Sequence, residues 1–232
     1  MLEIALGAAS AAAVTYAGYC AMTPTSQVYG HTLVRGKNPR QLALTYDDGP
    51  NDPHTLRLLE VLAKHDVRAA FFLIGRYVQQ RPQIAREVAQ AGHALGNHTF
   101  THPNLIFCSQ MQTRIQLQEC TRAIEDATSQ TPKLFRPPFG GRRPSTLRIV
   151  RELGLTPVMW DVTGFDWNAH SSAAVEQKVT KQTRGGSIIL LHDGSHRQLG
   201  VDRSHTVAAT DALISRYKAE GYQFNTIPEM FA

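Results

Sequence analysis

Residues 41–50 read QLALTYDDGP, an apolar run that ends in two adjacent carboxylates and a Gly-Pro pair. The first six residues have the composition of a buried strand, and the Gly-Pro pair marks the point where that strand would end. Side chains alternate along a strand, so Asp47 and Asp48 can serve one site only if the strand ends here. The pattern therefore predicts a central strand that presents two acids at its carboxyl end.

The chain after residue 41 alternates strand-like and helix-like segments, which is typical of βα units around a parallel sheet. About seven such units in about 190 residues favour an α/β fold built as a distorted (β/α) barrel with about seven strands. No GxGxxG motif follows the first strand, which disfavours a dinucleotide-binding sheet. Strands are predicted over residues 41–46, 69–74, 93–97, 133–136, 156–161, 187–191 and 222–227, and helices over residues 53–64, 82–91, 109–128, 144–153, 171–183 and 206–220.

A second motif, HTFTH at residues 98–102, places two imidazoles one helical turn apart. Together with one carboxylate of the first motif they offer three ligands and an open position, the arrangement of a catalytic zinc. The HxxxH pattern carries no internal Glu, so a base must come from elsewhere, and Asp47 fits that role. Zinc suits such a ligand set best, although Co²⁺, Ni²⁺ or Mn²⁺ could also occupy it.

The RPPFG segment at residues 136–140 follows a predicted strand. Arg136 can hold Asp47 as a carboxylate through a charged hydrogen bond. The stiff Pro-Pro pair can aim the backbone N–H of Phe139 at an oxyanion. The plainer interpretation is a rigid turn.

Two further segments place polar residues near predicted strand ends, namely Asp166-Trp167 and the run from Leu190 to His192. Chemistry in a (β/α) barrel lies at the carboxyl ends of the strands, so these residues would share one pocket with the earlier motifs. There Asp166 could polarise His192. The plainer interpretations are a surface turn and a core strand that ends in a structural histidine.

These five motifs occur in the order found in the NodB-type polysaccharide deacetylases, the family 4 carbohydrate esterases, and the chain resembles that family from about Gln41 to Glu229. The resemblance implies a metal-dependent hydrolase that removes N-acetyl groups from the amino sugars of a peptidoglycan-like or chitin-like glycan. Tyr46 and Phe139 depart from the ring residues common in the family, and both changes keep a ring. The roles that the resemblance implies are a base at Asp47, an acid at His192, metal ligands at Asp48, His98 and His102, a residue holding the base at Arg136, a residue tuning the acid at Asp166, an oxyanion-binding residue at Phe139, and an acetyl pocket shaped by Trp167 and Leu190.

Residues 2–22 are apolar or small almost throughout, which predicts an N-terminal helix that anchors the chain in a membrane. An N-terminal signal peptide is the alternative for residues 1–22. Residues 23–40 are predicted to be a linker, and residues 41–232 the deacetylase domain. The catalytic domain is expected on the extracytoplasmic side, although the basic residues Arg35, Lys37 and Arg40 would favour the cytoplasm.

The composition, with 42% hydrophobic and 19% charged residues, is that of an ordinary globular protein. The net charge of +5 comes from scattered basic residues, and no nucleic-acid motif accompanies it, so no nucleic-acid partner is expected. The expected partners are a glycan containing N-acetylglucosamine and the membrane, without an obligate protein partner. Cys20, Cys108 and Cys120 are predicted to be free thiols.

Three alternatives remain open at this point. The first is a deformylase or deacetylase of a lipid-linked amino sugar, which release of formate would reveal. The second is a non-catalytic glycan-binding domain, which predicts the loss of a base, a metal ligand or an acid. The third is a nucleic-acid binder. The sequence leaves open the natural glycan and the oligomeric state.

Overall fold

In the computed structural model, which describes the backbone of residues 2–232 and the side chains of residues 12–232, helices alternate with short parallel strands. The strands are β1 (Gln41–Gly49), β2 (Ala70–Leu73), β3 (Ala94–Asn97), β4 (Leu134–Phe135), β5 (Thr156–Pro157), β6 (Val162–Thr163), β7 (Ile188–His192) and β8 (Gln223–Phe224). The helices are α1 (Leu2–Met22), α2 (His54–Lys64), α3 (Gly75–Gln80), α4 (Pro82–Gln90), α5 (Gln110–Thr128), α6 (Pro144–Glu152), α7 (Ser172–Gln182), α8 (Ser204–Ala219) and α9 (Ile227–Met230).

All the strands pair in parallel, in the order β5-β4-β3-β2-β1-β7-β6, while β8 pairs with the start of β1. The sheet is thus a curled half-barrel with β5 and β6 at its two ends. This confirms the predicted α/β class and parallel sheet. The predicted strand over residues 156–161 is confirmed only at its first two residues, which form β5, and the separate strand β6 follows it at the opposite edge of the sheet.

Strand β1 lies at the centre of the sheet and is buried along nearly its whole length. Leu42, Leu44 and Tyr46 pack into the larger apolar cluster, whereas Ala43 joins a smaller cluster on the other face. Burial on both faces explains why the strand is continuously apolar rather than alternating. Each buried leucine contributes about 2–3 kcal/mol of transfer free energy. The strand is therefore a rigid support for the two acids at its end.

The helix boundaries follow the local start signals. Ser109 accepts a hydrogen bond from the backbone N–H of Gln112, and the Gln112 side chain caps Ser109 in return, which starts α5. Pro82 and Pro144 stand in the first turns of α4 and α6, where a missing N–H costs nothing. Helices α3 and α9 were not predicted because elements this short show little periodicity.

Helix α1 covers the segment that was predicted to anchor the chain in a membrane. Within the part of the chain that the structure describes, no helix combines the length and apolarity needed to cross a membrane. The prediction of a membrane anchor therefore gains no support. Part of the predicted segment, namely residue 1 and the side chains of residues 1–11, lies outside the described part of the chain.

Residues 23–40, predicted as a linker, pack along the domain. Leu33 forms an isolated parallel bridge with Val158. The buried guanidinium of Arg142 donates to the carbonyl oxygens of Thr23 and Ser26 at 2.8 and 2.7 Å. These contacts tie the segment after α1 to residues close to the polar motifs.

Candidate active site

The polar motifs meet in one cavity of about 870 Å³ at the carboxyl edge of the sheet. Strand β1 delivers its two acids there, β3 leads into the HTFTH motif, and β7 ends at His192. Because parallel strands end at one edge, residues more than a hundred positions apart come together there. The predicted site residues that line the cavity are Asp47, Asp48, His98, His102, Phe139, Trp167, Leu190 and His192. The predicted Arg136 and Asp166 lie buried behind it and contact Asp47 and His192.

Asp48, His98 and His102 form a compact cluster whose ligand atoms all lie within 4.8 Å of one another. Oδ1 of Asp48 is 3.6 Å from Nε2 of His98 and 3.2 Å from Nε2 of His102. This oxygen is buried and accepts no hydrogen bond from the described residues. A buried carboxylate oxygen without a donor, facing two imidazole nitrogens, fits a divalent metal ion.

The second nitrogen of His98 fixes the tautomer of that ring. Nδ1 lies 2.7 Å from the carbonyl oxygen of Arg136. Because a carbonyl only accepts hydrogen bonds, Nδ1 carries a proton, and this bond turns Nε2 towards Asp48. The ring is thus oriented as a metal ligand.

Burial, followed by the neighbouring imidazole of His98, lowers the pKa of His102 to about 3. His102 is therefore neutral at pH 7 and its lone pair is available. Burial opposes ionisation of Asp48, but a hydrogen bond from His196 and the nearby imidazoles outweigh it and lower the pKa. Asp48 is thus held as an anion and His102 as a neutral imidazole, the protonation states in which these residues bind metals.

The second acid of β1, Asp47, is held by a buried arginine. Nη1 of Arg136 donates to Oδ1 of Asp47 and to Oγ1 of Thr45, both at 2.8 Å. The guanidinium also donates to the carbonyl of Met159 at 3.1 Å and lies 4.1 Å from the ring centre of Phe72. This pairing fixes the orientation of the Asp47 carboxyl beside the cluster.

On the other side of the cavity, His192 pairs with the fully buried Asp166. Nδ1 of His192 is 2.9 Å from Oδ1 of Asp166, and Oδ2 accepts the His192 backbone N–H at 2.8 Å and the Thr206 hydroxyl at 2.7 Å. Burial disfavours the imidazolium, but the Asp166 carboxylate outweighs it and raises the pKa of His192 to about 9. His192 is therefore protonated at neutral pH and can give up a proton.

Two aromatic residues form the walls of the cavity. Trp167 is half exposed and meets the His192 ring edge-on, with 5.0 Å between ring centres. Phe139 is also half exposed and takes a left-handed conformation with φ of 58°, which is unusual for a residue other than glycine. Strain of this kind is often kept where a backbone group must point at a ligand. The Pro-Pro pair before Phe139 restricts this turn.

His196, which the sequence did not predict as a site residue, directly contacts the cluster of candidate metal ligands. Its backbone N–H donates to Oδ2 of Asp48 at 3.2 Å, and its ring stacks on His102 with 4.6 Å between centres. The signal that could have found it is the second imidazole four residues after His192.

Asp193 was also missed. It is fully buried and accepts the hydroxyl of Thr55 at 2.5 Å. Burial, opposed by this hydrogen bond and reinforced by the two acids of β1, raises the pKa of Asp193 to about 7. A Cβ on Gly49 would lie 2.2 Å from Oδ2 of Asp193, so only glycine fits between the first motif and this carboxyl. Asp193 thus supports the turn that follows the two acids.

The chain matches known proteins along most of its length. A family model described as "Polysaccharide deacetylase" matches residues 35–158. A peptidoglycan-N-acetylglucosamine deacetylase from Bacillus cereus is 34% identical over 213 residues, covering 90% of this chain and 75% of the relative. A chitooligosaccharide deacetylase from Sinorhizobium fredii is 37% identical over 208 residues, covering 87% of this chain and 97% of the relative.

Among solved structures, a CE4 family pseudoenzyme from Bacillus anthracis matches with a TM-score of 0.80 at 33% identity, covering 87% of this chain and 69% of that one. The chain therefore belongs to the polysaccharide deacetylases of carbohydrate esterase family 4, as its five motifs predicted. The enzyme class, a deacetylating hydrolase, is likewise confirmed by these relatives. Since one neighbour in fold is called a pseudoenzyme, the chemistry must be judged from the residues in the cavity.

Proposed function

We propose that the protein removes N-acetyl groups from amino sugars of a glycan in a metal-dependent hydrolysis. The proposal rests on one observation. A single cavity holds a carboxyl group paired with an arginine and an imidazole paired with a carboxylate, beside the three-residue cluster of candidate metal ligands. Asp47 is paired with Arg136 at 2.8 Å, and His192 is paired with Asp166 at 2.9 Å. A base and an acid in separate environments are what amide hydrolysis requires.

Asp48, His98 and His102 would hold the metal ion, most simply Zn²⁺. A divalent ion bound there would polarise the amide carbonyl and make a water more acidic. Asp47 takes a proton as water attacks the acetamide carbonyl, and the hydrogen bond from Arg136 holds its carboxyl in position for this step. The backbone N–H of Phe139 donates to the oxygen on which negative charge develops.

His192 then gives its proton to the departing amine, which leaves acetate and a free amino sugar. Asp166 supports this step because it raises the pKa of His192 to about 9. Trp167 and Leu190 line the cavity beside His192 and would enclose the acetyl methyl group. The non-catalytic alternative predicts a missing base, ligand or acid, and this chain carries all three kinds of residue.

The test is release of acetate from N-acetylglucosamine oligomers and from peptidoglycan fragments by the full chain, with chelator and with added zinc. Release that chelator abolishes and zinc restores is expected. Asp47→Asn should lower turnover by about 100- to 10,000-fold without loss of bound zinc. The matched control, Asp126→Asn on the exposed face of α5, should leave turnover unchanged.

Near-normal turnover in zinc-loaded Asp47→Asn would refute the assignment of the base. The same assay, read for formate with a formylated lipid-linked amino sugar, tests the alternative substrate. The location of the domain outside the cytoplasm stays a proposal, which accessibility of the enzyme to protease in intact cells would test.

A further inference from the structure

The loop between β7 and α8, residues 193–203, is held at both ends by side chains. Nδ2 of Asn51 donates to the carbonyls of Asp193 and Val201, each at 2.9 Å. Oδ1 of Asn51 accepts the backbone N–H of Gly200 at 2.7 Å. Nε of Arg203 donates to the carbonyl of Gly194 at 2.8 Å. The loop therefore has a defined path although it contains no regular secondary structure.

The middle of the loop is tied to the ligand cluster. The backbone N–H of His196 donates to Oδ2 of Asp48 at 3.2 Å, and Arg76 donates to the His196 carbonyl. The next N–H, that of Arg197, donates to Oγ of Ser195 at 3.3 Å. Arg197 thus starts from a fixed backbone position, one residue away from a direct contact with a candidate metal ligand.

The side chain of Arg197 lines the cavity and is exposed. Among the described residues, no carboxylate lies within ion-pair distance of its guanidinium, and no side-chain hydrogen bond engages it. The other basic side chains around this loop are already engaged, since Arg76 and Arg203 both donate to backbone carbonyls. The acid of the same loop, Asp202, lies 3.4 Å from Nε2 of His54.

Arg197 therefore offers an unpaired guanidinium at the rim of the substrate cavity. The planar fork of a guanidinium matches a carboxylate with two parallel hydrogen bonds. A neutral chitin-like oligomer offers this group hydroxyl and acetamide oxygens but no negative charge. A glycan whose alternate sugars carry a lactyl ether with a free carboxylate, as in peptidoglycan strands without stem peptides, offers the matching charge.

We propose that Arg197 binds a carboxylate on the sugar next to the N-acetylated sugar being hydrolysed, and so gives the enzyme a preference for acidic glycans over neutral ones. This inference rests on the proposed deacetylase function and specifies its substrate class. Arg197 acts on specificity and takes no part in proton transfer.

The test compares tetrasaccharides on the zinc-loaded full chain. One is a neutral N-acetylglucosamine tetramer. The others are peptidoglycan tetrasaccharides with the lactyl carboxylate free, with it converted to the methyl amide, and with the stem peptide attached. Acetate release gives kcat/KM, and the fluorescence of Trp160 and Trp167, which line the cavity, gives the Kd for each glycan.

Arg197→Gln is expected to lower kcat/KM and raise Kd about tenfold for the free-carboxylate tetrasaccharide, with less than a twofold change for the neutral tetramer. Arg197→Lys keeps the positive charge but lacks the planar guanidinium. Its kcat/KM and Kd for the free-carboxylate tetrasaccharide should therefore lie between those of the wild type and Arg197→Gln. The matched control Arg148→Gln, on the exposed face of α6, should change neither.

Loss of the effect in the methyl amide identifies the lactyl carboxylate as the bound group, whereas an effect seen only with the stem peptide identifies a peptide carboxylate and overturns the proposal. An equal change for acidic and neutral glycans, or none for either, overturns the proposal. If the wild-type chain binds the glycans but releases no acetate, the deacetylase function fails, while the Kd values still decide the role of Arg197.

Discussion

Arg136 and Asp47 form a fully buried ion pair, with 2.8 Å between Nη1 and Oδ1. Arg136 directly follows β4, which is separated from β1 by two strands, and its guanidinium reaches Asp47 over the ring of Phe72 in β2. Burial lowers the pKa of Arg136, and Asp47 opposes that shift. Each charge of the pair therefore depends on the other, and this dependence can be measured.

Arg136→Met should destabilise the fold by ~3–5 kcal/mol, because it leaves the Asp47 carboxylate buried without its partner. The double variant Arg136→Met with Asp47→Asn should be destabilised by less, since no uncompensated charge remains. Urea unfolding of the two single variants and the double variant gives the coupling free energy. Additive effects of the two substitutions would show that the pair contributes no coupling, contrary to the geometry.

The pH dependence of turnover should report His192. Its pKa is raised to about 9, so the proton donor is present below that pH and is lost as the pH rises through it. A bound cation disfavours the imidazolium of His192. The fall of kcat on the alkaline side of the pH profile, its alkaline limb, should therefore lie at or below about pH 9. Because the pKa of His192 is raised in the fold, the stability that its protonation contributes is lost as the pH rises towards about 9. Because the pKa of Asp166 is lowered, the stability that its ionisation contributes is lost as the pH falls into the acid range.

Asp166→Asn should move this alkaline limb down by ~1–3 pH units, because it removes the carboxylate that favours the imidazolium. The control His170→Gln, at an exposed position outside the cavity, should leave the limb in place. An unchanged limb in Asp166→Asn would mean that another group donates the proton. The measurement is kcat from pH 6 to pH 10 at saturating glycan.

Zinc should stabilise the chain through Asp48, His98 and His102. A ligand that binds only the folded state at 100 times its Kd contributes about 2.7 kcal/mol, which corresponds to a rise in Tm of ~5–10 °C for a chain of this size. His102→Ala should lose most of this shift, whereas His170→Ala should keep it. An undiminished shift in His102→Ala would place the metal elsewhere.

Arg142 should fix the segment after α1 against the wall of the active site. Its guanidinium donates to the carbonyls of Ala21, Thr23, Ser26 and Gly140 over 2.7–3.4 Å, and Gly140 adjoins Phe139. Arg142→Met should cost ~2–4 kcal/mol of stability and speed hydrogen exchange over residues 20–26. Arg148→Gln is the control, and unchanged exchange in Arg142→Met would show that other contacts hold the segment.

Much of the fold could be predicted because its signals are local. The apolar run that ends at Asp47, the proline at the start of α4 and the cap at Ser109 each lie within a few residues of the boundary that they set. The half-barrel closure could not be predicted in the same way. Residues 156–161 look like one strand, but only residues 156–157 pair with β4, and the chain then crosses to the opposite edge of the sheet, where residues 162–163 pair with β7.

The candidate site follows the same division. The sequence by itself determined the residue types, because adjacent acids at a strand end and paired imidazoles are patterns a few residues long. Only the tertiary structure decided the partners: the His196 N–H on Asp48, 148 residues away, the hold of Arg142 on Ser26, and the unpaired Arg197 at the cavity rim. Such contacts depend on where distant strand ends and loops meet in space, and a pattern within a few residues of sequence carries no information about those meetings.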